Sequence, residues 1–216
     1  MSFLPVVTLA VMHAAPAGAT PITSPAELVG PQTVIDFNSL PAGPLPSPQV
    51  LSGVTFSGFL TFANTVIDTD GFQASIDFPT FVSDKALGIA DTDPNLPNFT
   101  IAFASPVAQV GFGLFDPNFL GNVISAYDSG GMLLETTSPD ALFPPGGSGA
   151  DYLGFVRGAA DIAYIEIVAG VSGNTPDALW IDNLAFSGTP VPEPMTLLLL
   201  GLGLAGLGVG RRRARL

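Results

Sequence analysis

Between Thr20 and Pro190 every apolar run is soon cut by Gly, Pro, Asn or Asp, and this punctuation dictates what the chain can become. Short alternating runs divided by turn residues make strands, and no segment keeps the 3.6-residue period a helix needs. The expected strands are 33–38, 54–62, 73–78, 86–90, 99–104, 108–115, 123–128, 132–136, 152–157, 162–168 and 179–186. In the run 161–168, Ile162, Tyr164, Glu166 and Val168 face one way and Ala163, Ile165 and Ile167 the other. Both sets are largely apolar, as in a central strand of a packed sheet. The expected fold is all-β, a two-sheet antiparallel sandwich of the jelly-roll type. The Pro-rich stretch 41–48 reads as a surface crossover and 143–149 as a second loop.

Charge removes whole classes of function. Of eighteen acidic residues all but Glu193 lie in this body, which carries only Lys85 and Arg157 as cations. Such a body repels phosphate, so nucleic acid is excluded as a partner. There is no cysteine, and the one histidine, His13, falls in a segment expected to be removed. That rules out catalytic triads with histidine, thiol chemistry and His-rich zinc sites; no catalytic residue is assigned.

The ends read as addresses. Residues 3–19 are mostly apolar and close on Ala17-Gly18-Ala19, the small-x-small pattern that signal peptidase cuts, so residues 1–19 are expected to be a signal peptide. Its basic n-region is missing, so a true start upstream of Met1 is one expectation. At the other end, Pro192-Glu193-Pro194 precedes an apolar run, 195–210, and an Arg-rich tail, 211–216, with Arg211, Arg212, Arg213 and Arg215. As a helix that run spans about 24 Å against a hydrocarbon core of about 30 Å, a gap that snorkelling arginines and local thinning cover. The arginines place that end in the cytoplasm and the acidic body outside it.

Tripeptide, Leu/Gly-rich helix and terminal arginines, in this order over 191–216, resemble the PEP-CTERM sorting signal of Gram-negative bacteria that make exopolysaccharide. The resemblance implies recognition by an exosortase near Pro192, Glu193 and Pro194, with an inner-membrane-anchored precursor and then a cell-surface or extracellular destination. The body 20–190 also resembles the β-sandwich of many such proteins through 34–37, 53–56, 107–112, 126–131, 152–155 and 181–186. The implied function is an exported, non-enzymatic, surface-associated protein near polysaccharide.

Three further expectations concern chemistry. Strict alternation puts Trp180, Asp182, Leu184 and Phe186 on one face, and a buried carboxylate needs a cation or several donors. In related jelly rolls first and last strands are neighbours and hold a structural calcium, so Asp182 with Asp36 or Asn38 is the candidate site. The alternative is an Asp bonded to turn amides. The acidic groups 68–71 and 91–95 read as turns. A carbohydrate-binding module with structural calcium, stacking sugars on Trp180, Tyr127, Tyr152 or Tyr164, is a second function. A glycosidase built on two carboxylates is the third.

Overall fold

The computed structural model describes residues 20–41, 43–44, 48–58, 65–68, 85–89, 98–115, 120–139, 150–173, 175–177 and 179–188. The expected signal peptide 1–19, the strand expected at 73–78, the acidic group 91–95, the loop expected at 143–149 and the expected sorting signal 191–216 lie outside these residues, as does most of 68–71. In chain order the described strands begin with β1 (Thr20–Ile22), β2 (Thr33–Ile35), β3 (Gly43–Pro44), β4 (Gln49–Leu51), β5 (Val54–Gly58) and β6 (Thr65–Asp68). Next come β7 (Ala86–Ile89), β8 (Asn98–Val107), β9 (Gln109–Phe115), β10 (Val123–Tyr127) and β11 (Leu133–Thr137). The last are β12 (Ala150–Val156), β13 (Ile162–Val168), β14 (Val171–Ser172), β15 (Thr175–Pro176) and β16 (Trp180–Ser187).

They form two antiparallel sheets and a small β14–β15 hairpin. The six-stranded sheet runs β11-β10-β13-β8-β5-β4, and the eight-stranded one β1-β12-β9-β16-β7-β6-β3 with β2 also on β16. The chain crosses between sheets repeatedly, as in a jelly-roll-like sandwich. One crossing is a single residue: Ala108 turns the corner from β8 to β9, its N–H donating to Ser187 and its carbonyl accepting from Arg157.

Alternation decides what enters the core. Phe99, Ile101, Ile165 and Ile167 point inward from one sheet, and Val110, Phe112, Leu114, Leu153 and Phe155 from the other. Each large side chain withdrawn from water in this layer contributes about 1.5–3 kcal/mol. As expected, β13 is central, but its two faces differ: Ile165 and Ile167 are buried while Tyr164, Glu166 and Val168 are only half-buried.

The closing strand departs from strict alternation. Ile181 and Leu184 both enter the core, although their parity is opposite. A β-bulge between Asp182 and Ala185 absorbs the odd residue, with Asn183 at φ 51°. Asn tolerates that left-handed conformation better than most residues. Trp180 and Asp182 are therefore not on the face of Leu184 and Phe186, which corrects the sequence-based expectation. The bulge sits where the neighbour of β16 changes, β7 pairing at Trp180–Ile181 and β2 at Leu184–Phe186. Likewise β2 ends at Ile35 rather than continuing to Asn38, because Phe37 turns to φ 53° to reach the core beside Phe56.

Trp180 lies opposite Gly88, where an added Cβ would run into the indole ring. Gly88→Ala should thus destabilise the protein by about 1–3 kcal/mol, the usual range for overpacking. Denaturant unfolding followed by the fluorescence of Trp180, the only tryptophan, reads this directly.

Candidate functional site

The residues proposed from sequence for calcium sit in different surroundings. Strand β2 does lie beside the closing strand, Ile35 opposite Leu184, whereas β1 pairs with β12. Past the end of β2, Asp36 is exposed and its carboxylate accepts the Asn38 N–H at 3.2 Å, an Asx turn. Asp182 is fully buried. Its two oxygens accept from the Asn183 N–H at 2.6 Å and the Asn183 side-chain amide at 3.2 Å. Among the described residues no group of three or more His, Cys, Asp or Glu is placed to hold a metal.

Asn38 faces donors. Its Oδ1 accepts the Lys85 N–H at 3.1 Å, and the Lys85 ammonium donates to the carbonyls of Asn38 at 3.1 Å and Leu40 at 2.6 Å. Calcium needs six to eight oxygens converging on one point. Here the oxygens of Asn38 are directed at a lysine, so the fit to a calcium cage at this residue is poor, and the cation on the turn is the Lys85 ammonium. The scarcity of cations in the body was the sequence signal that could have singled this residue out.

Two other polar arrangements escaped the sequence reading because they join distant residues. Buried Asn122 donates to Asp177 at 2.6 Å and accepts the Gly170 N–H at 2.7 Å, tying three loops together at one end of the sandwich. Buried Gln109 exchanges two hydrogen bonds with the backbone of Val29, at 2.7 and 3.0 Å, and so pins the N-terminal segment to β9. These bonds compensate the burial of amides that would otherwise cost several kcal/mol.

The aromatic candidates separate into two groups. Trp180 and Tyr152 are buried, 8% and 2% exposed. Tyr127 and Tyr164 stand opposite each other on β10 and β13, half-buried on the outer face of the six-stranded sheet. Their rings stack at 4.8 Å between centroids with 10° between planes. Beside them the Glu166 carboxylate accepts from the Tyr127 hydroxyl at 3.3 Å and from the Asn98 amide at 3.1 Å. Burial, reinforced by the Glu166 charge, holds the Tyr127 phenol above its ordinary value of 10, so it stays a donor at neutral pH.

The fold and this outer face define an all-β sandwich with an aromatic and acidic surface. Residues 190–214 match the PEP-CTERM protein-sorting motif. The chain thus carries a signal that implies export and recognition by an exosortase. Solved structures with a similar arrangement include a variant of a family 29 carbohydrate-binding module, at 15% identity over 76% of this chain and 99% of that one, TM-score 0.41. Another is the K2 cleaved adhesin domain of Lys-gingipain, at 9% identity over 78% and 99%, TM-score 0.34. The K1 cleaved adhesin domain of Lys-gingipain from Porphyromonas gingivalis W83 gives 12% identity over 80% and 99%, TM-score 0.26. Likenesses this distant carry no ligand across to this chain. No curated protein matches it.

Replacing Lys85 by Met removes a cation from two carbonyls. The expected loss is about 2 kcal/mol, the scale of a charge-assisted bond, which lowers the thermal midpoint by roughly 4–8 °C in a chain of this size. Added calcium should not restore it, and recovery of the midpoint with calcium would reinstate a metal site at Asn38. Alkaline pH gives a second test. Burial raises the Tyr152 phenol strongly and Tyr127 is raised as well. Unfolded, these two phenols release protons near pH 10; folded, they do so only higher. Stability is therefore intact below pH 10 and falls above it, by about 1.4 kcal/mol per pH unit for each phenol still protonated in the fold. Tyrosinate absorbance against pH, with unfolding monitored in parallel, should show Tyr152 ionising only as the protein opens.

Proposed function

We propose that this is an exported, non-enzymatic protein which an exosortase-type system sorts to the cell envelope or exopolysaccharide matrix, where the sandwich makes weak contacts with polysaccharide. The sorting motif at 190–214 carries the reading. Signal peptidase acts first, after Ala19, and the apolar run 195–210 then holds the precursor in the inner membrane with the body outside. Exosortase recognises Pro192, Glu193 and Pro194.

The non-enzymatic part of the proposal is supported by the structural roles that several carboxylates of the described residues already fill. Asp161 pairs with Arg157, Asp128 caps the turn at Gly130 and Met132, Asp177 holds Asn122, and Asp182 is bonded to Asn183. A glycosidase needs one acid free to give a proton and another free to attack or activate water. The narrower alternative, a module specific for one glycan, is favoured by the half-exposed Tyr127–Tyr164 pair. Calcium remains a proposal for Asp182 with Asp36; calorimetric titration of metal-free protein decides it, a saturable heat lost in Asp182→Ala supporting the site.

In a host that supplies the exosortase, Glu193→Ala should leave unprocessed precursor in the inner membrane while the unaltered protein is processed. Fractionation and gel mobility read the outcome. Normal processing of the variant would sink the sorting assignment.

A further inference from the structure

Among the described residues, the outer face of the six-stranded sheet offers a place where an aromatic ring meets a fixed hydrogen-bond acceptor. Tyr164 spends one ring face on Tyr127. On the other side its neighbour across the ladder is Ala102 of β8, whose methyl group is too small to cover a phenol ring. One residue pair further along, Glu166 stands opposite Thr100, with its carboxylate held by Tyr127 and Asn98. All of these side chains are partly or fully exposed. Each carboxylate oxygen retains acceptor capacity beyond the single bond it makes here.

We propose that Tyr164, over the low floor at Ala102 and beside Glu166, is a sugar-binding site for a polysaccharide whose rings bear no acid groups. The apolar C–H face of a pyranose matches the free face of Tyr164, and ring hydroxyls or an amino group match Glu166, Thr100 and Asn98. The charge argument fixes the class of glycan. The only cations of the body are Lys85, held by the carbonyls of Asn38 and Leu40, and Arg157, paired with Asp161. Neither meets a uronate on this face, where Glu166 would repel it. Neutral and amine-bearing polymers fit; polyuronates do not. Polar contacts ordered in advance and a rigid ring keep the entropy cost of binding low. The site deepens the proposed polysaccharide setting and rests on it, but its test is independent of sorting, since binding in vitro requires no exosortase.

The experiment is affinity electrophoresis of the full-length protein in mild detergent, through gels containing hydroxyethyl cellulose, chitosan or polygalacturonate. Retardation is expected with the neutral polymer, the amine-bearing polymer or both, and not with the polyuronate. Tyr164→Ala should weaken it by about tenfold or more, whereas Tyr164→Phe, which keeps the ring, should retain it. Ala102→Leu leaves both tyrosines in place and fills the space over the ring, so it should weaken binding as well. This variant decides the matter if Tyr164→Ala does not fold, with Trp180 fluorescence reporting the fold. Binding to none of the three polymers, preference for the polyuronate, or retardation unchanged in Ala102→Leu would each overturn the assignment.

Discussion

The apolar layer between the two sheets is what every other feature depends on, because the chain has no cysteine to staple them together. Dispersion and the removal of apolar surface from water must offset the chain entropy by themselves. That demand fixes the parity of each strand. Once Phe99 and Ile101 are committed inward, Asn98, Thr100 and Ala102 must point outward. The same holds on β13, where Ile165 and Ile167 set the direction of Tyr164 and Glu166. The outer aromatic and acidic surface is thus a by-product of core packing, positioned as rigidly as the core itself.

Where the core could not be filled by plain alternation, the backbone yielded. Phe37 and Asn183 both take positive φ, and both do so where the neighbouring strand changes or ends. The bulge at Asn183 lets one strand serve two partners along one edge, β7 and then β2, while keeping Ile181 and Leu184 inside. Asp182 is carried into a buried position by that same adjustment and is met there by the backbone and side chain of Asn183. The strand is therefore better described as two short segments joined by a kink than as one continuous ribbon.

This explains which parts of the molecule could be read in advance. The bounds of a strand with several alternating large residues, 162–168, were legible, since period-two patterning is a direct consequence of burial on one face; the facing of Ile162 was not, because a register shift between Ile162 and Tyr164 sends it into the core with Ile165 and Ile167. Short strands of three or four residues, Gln49–Leu51 and Thr65–Asp68, carry too few alternations to make a pattern. Positive φ at Phe37 has no signature, because a bulky side chain ordinarily avoids that conformation. The sorting motif was legible because it is linear. The Tyr127–Tyr164 pair was visible only as two separate residues: its existence depends on the register between β10 and β13, which composition does not encode. The expected calcium pairing of Asp182 with Asp36 or Asn38 depended on geometry of the same unencoded kind, since the bulge altered the relation of Asp182 to its neighbours and a lysine came to Asn38.

Both cations of the body are turned to internal tasks, Lys85 clamping a turn and Arg157 held by Asp161. What the sandwich presents to its surroundings is consequently almost purely anionic. Copies crowded on one surface would keep their distance through mutual repulsion at neutral pH, and that spacing would shrink as acidification lowers the net negative charge. Acidification of the surrounding medium would then convert a layer of separately spaced molecules into one free to close up.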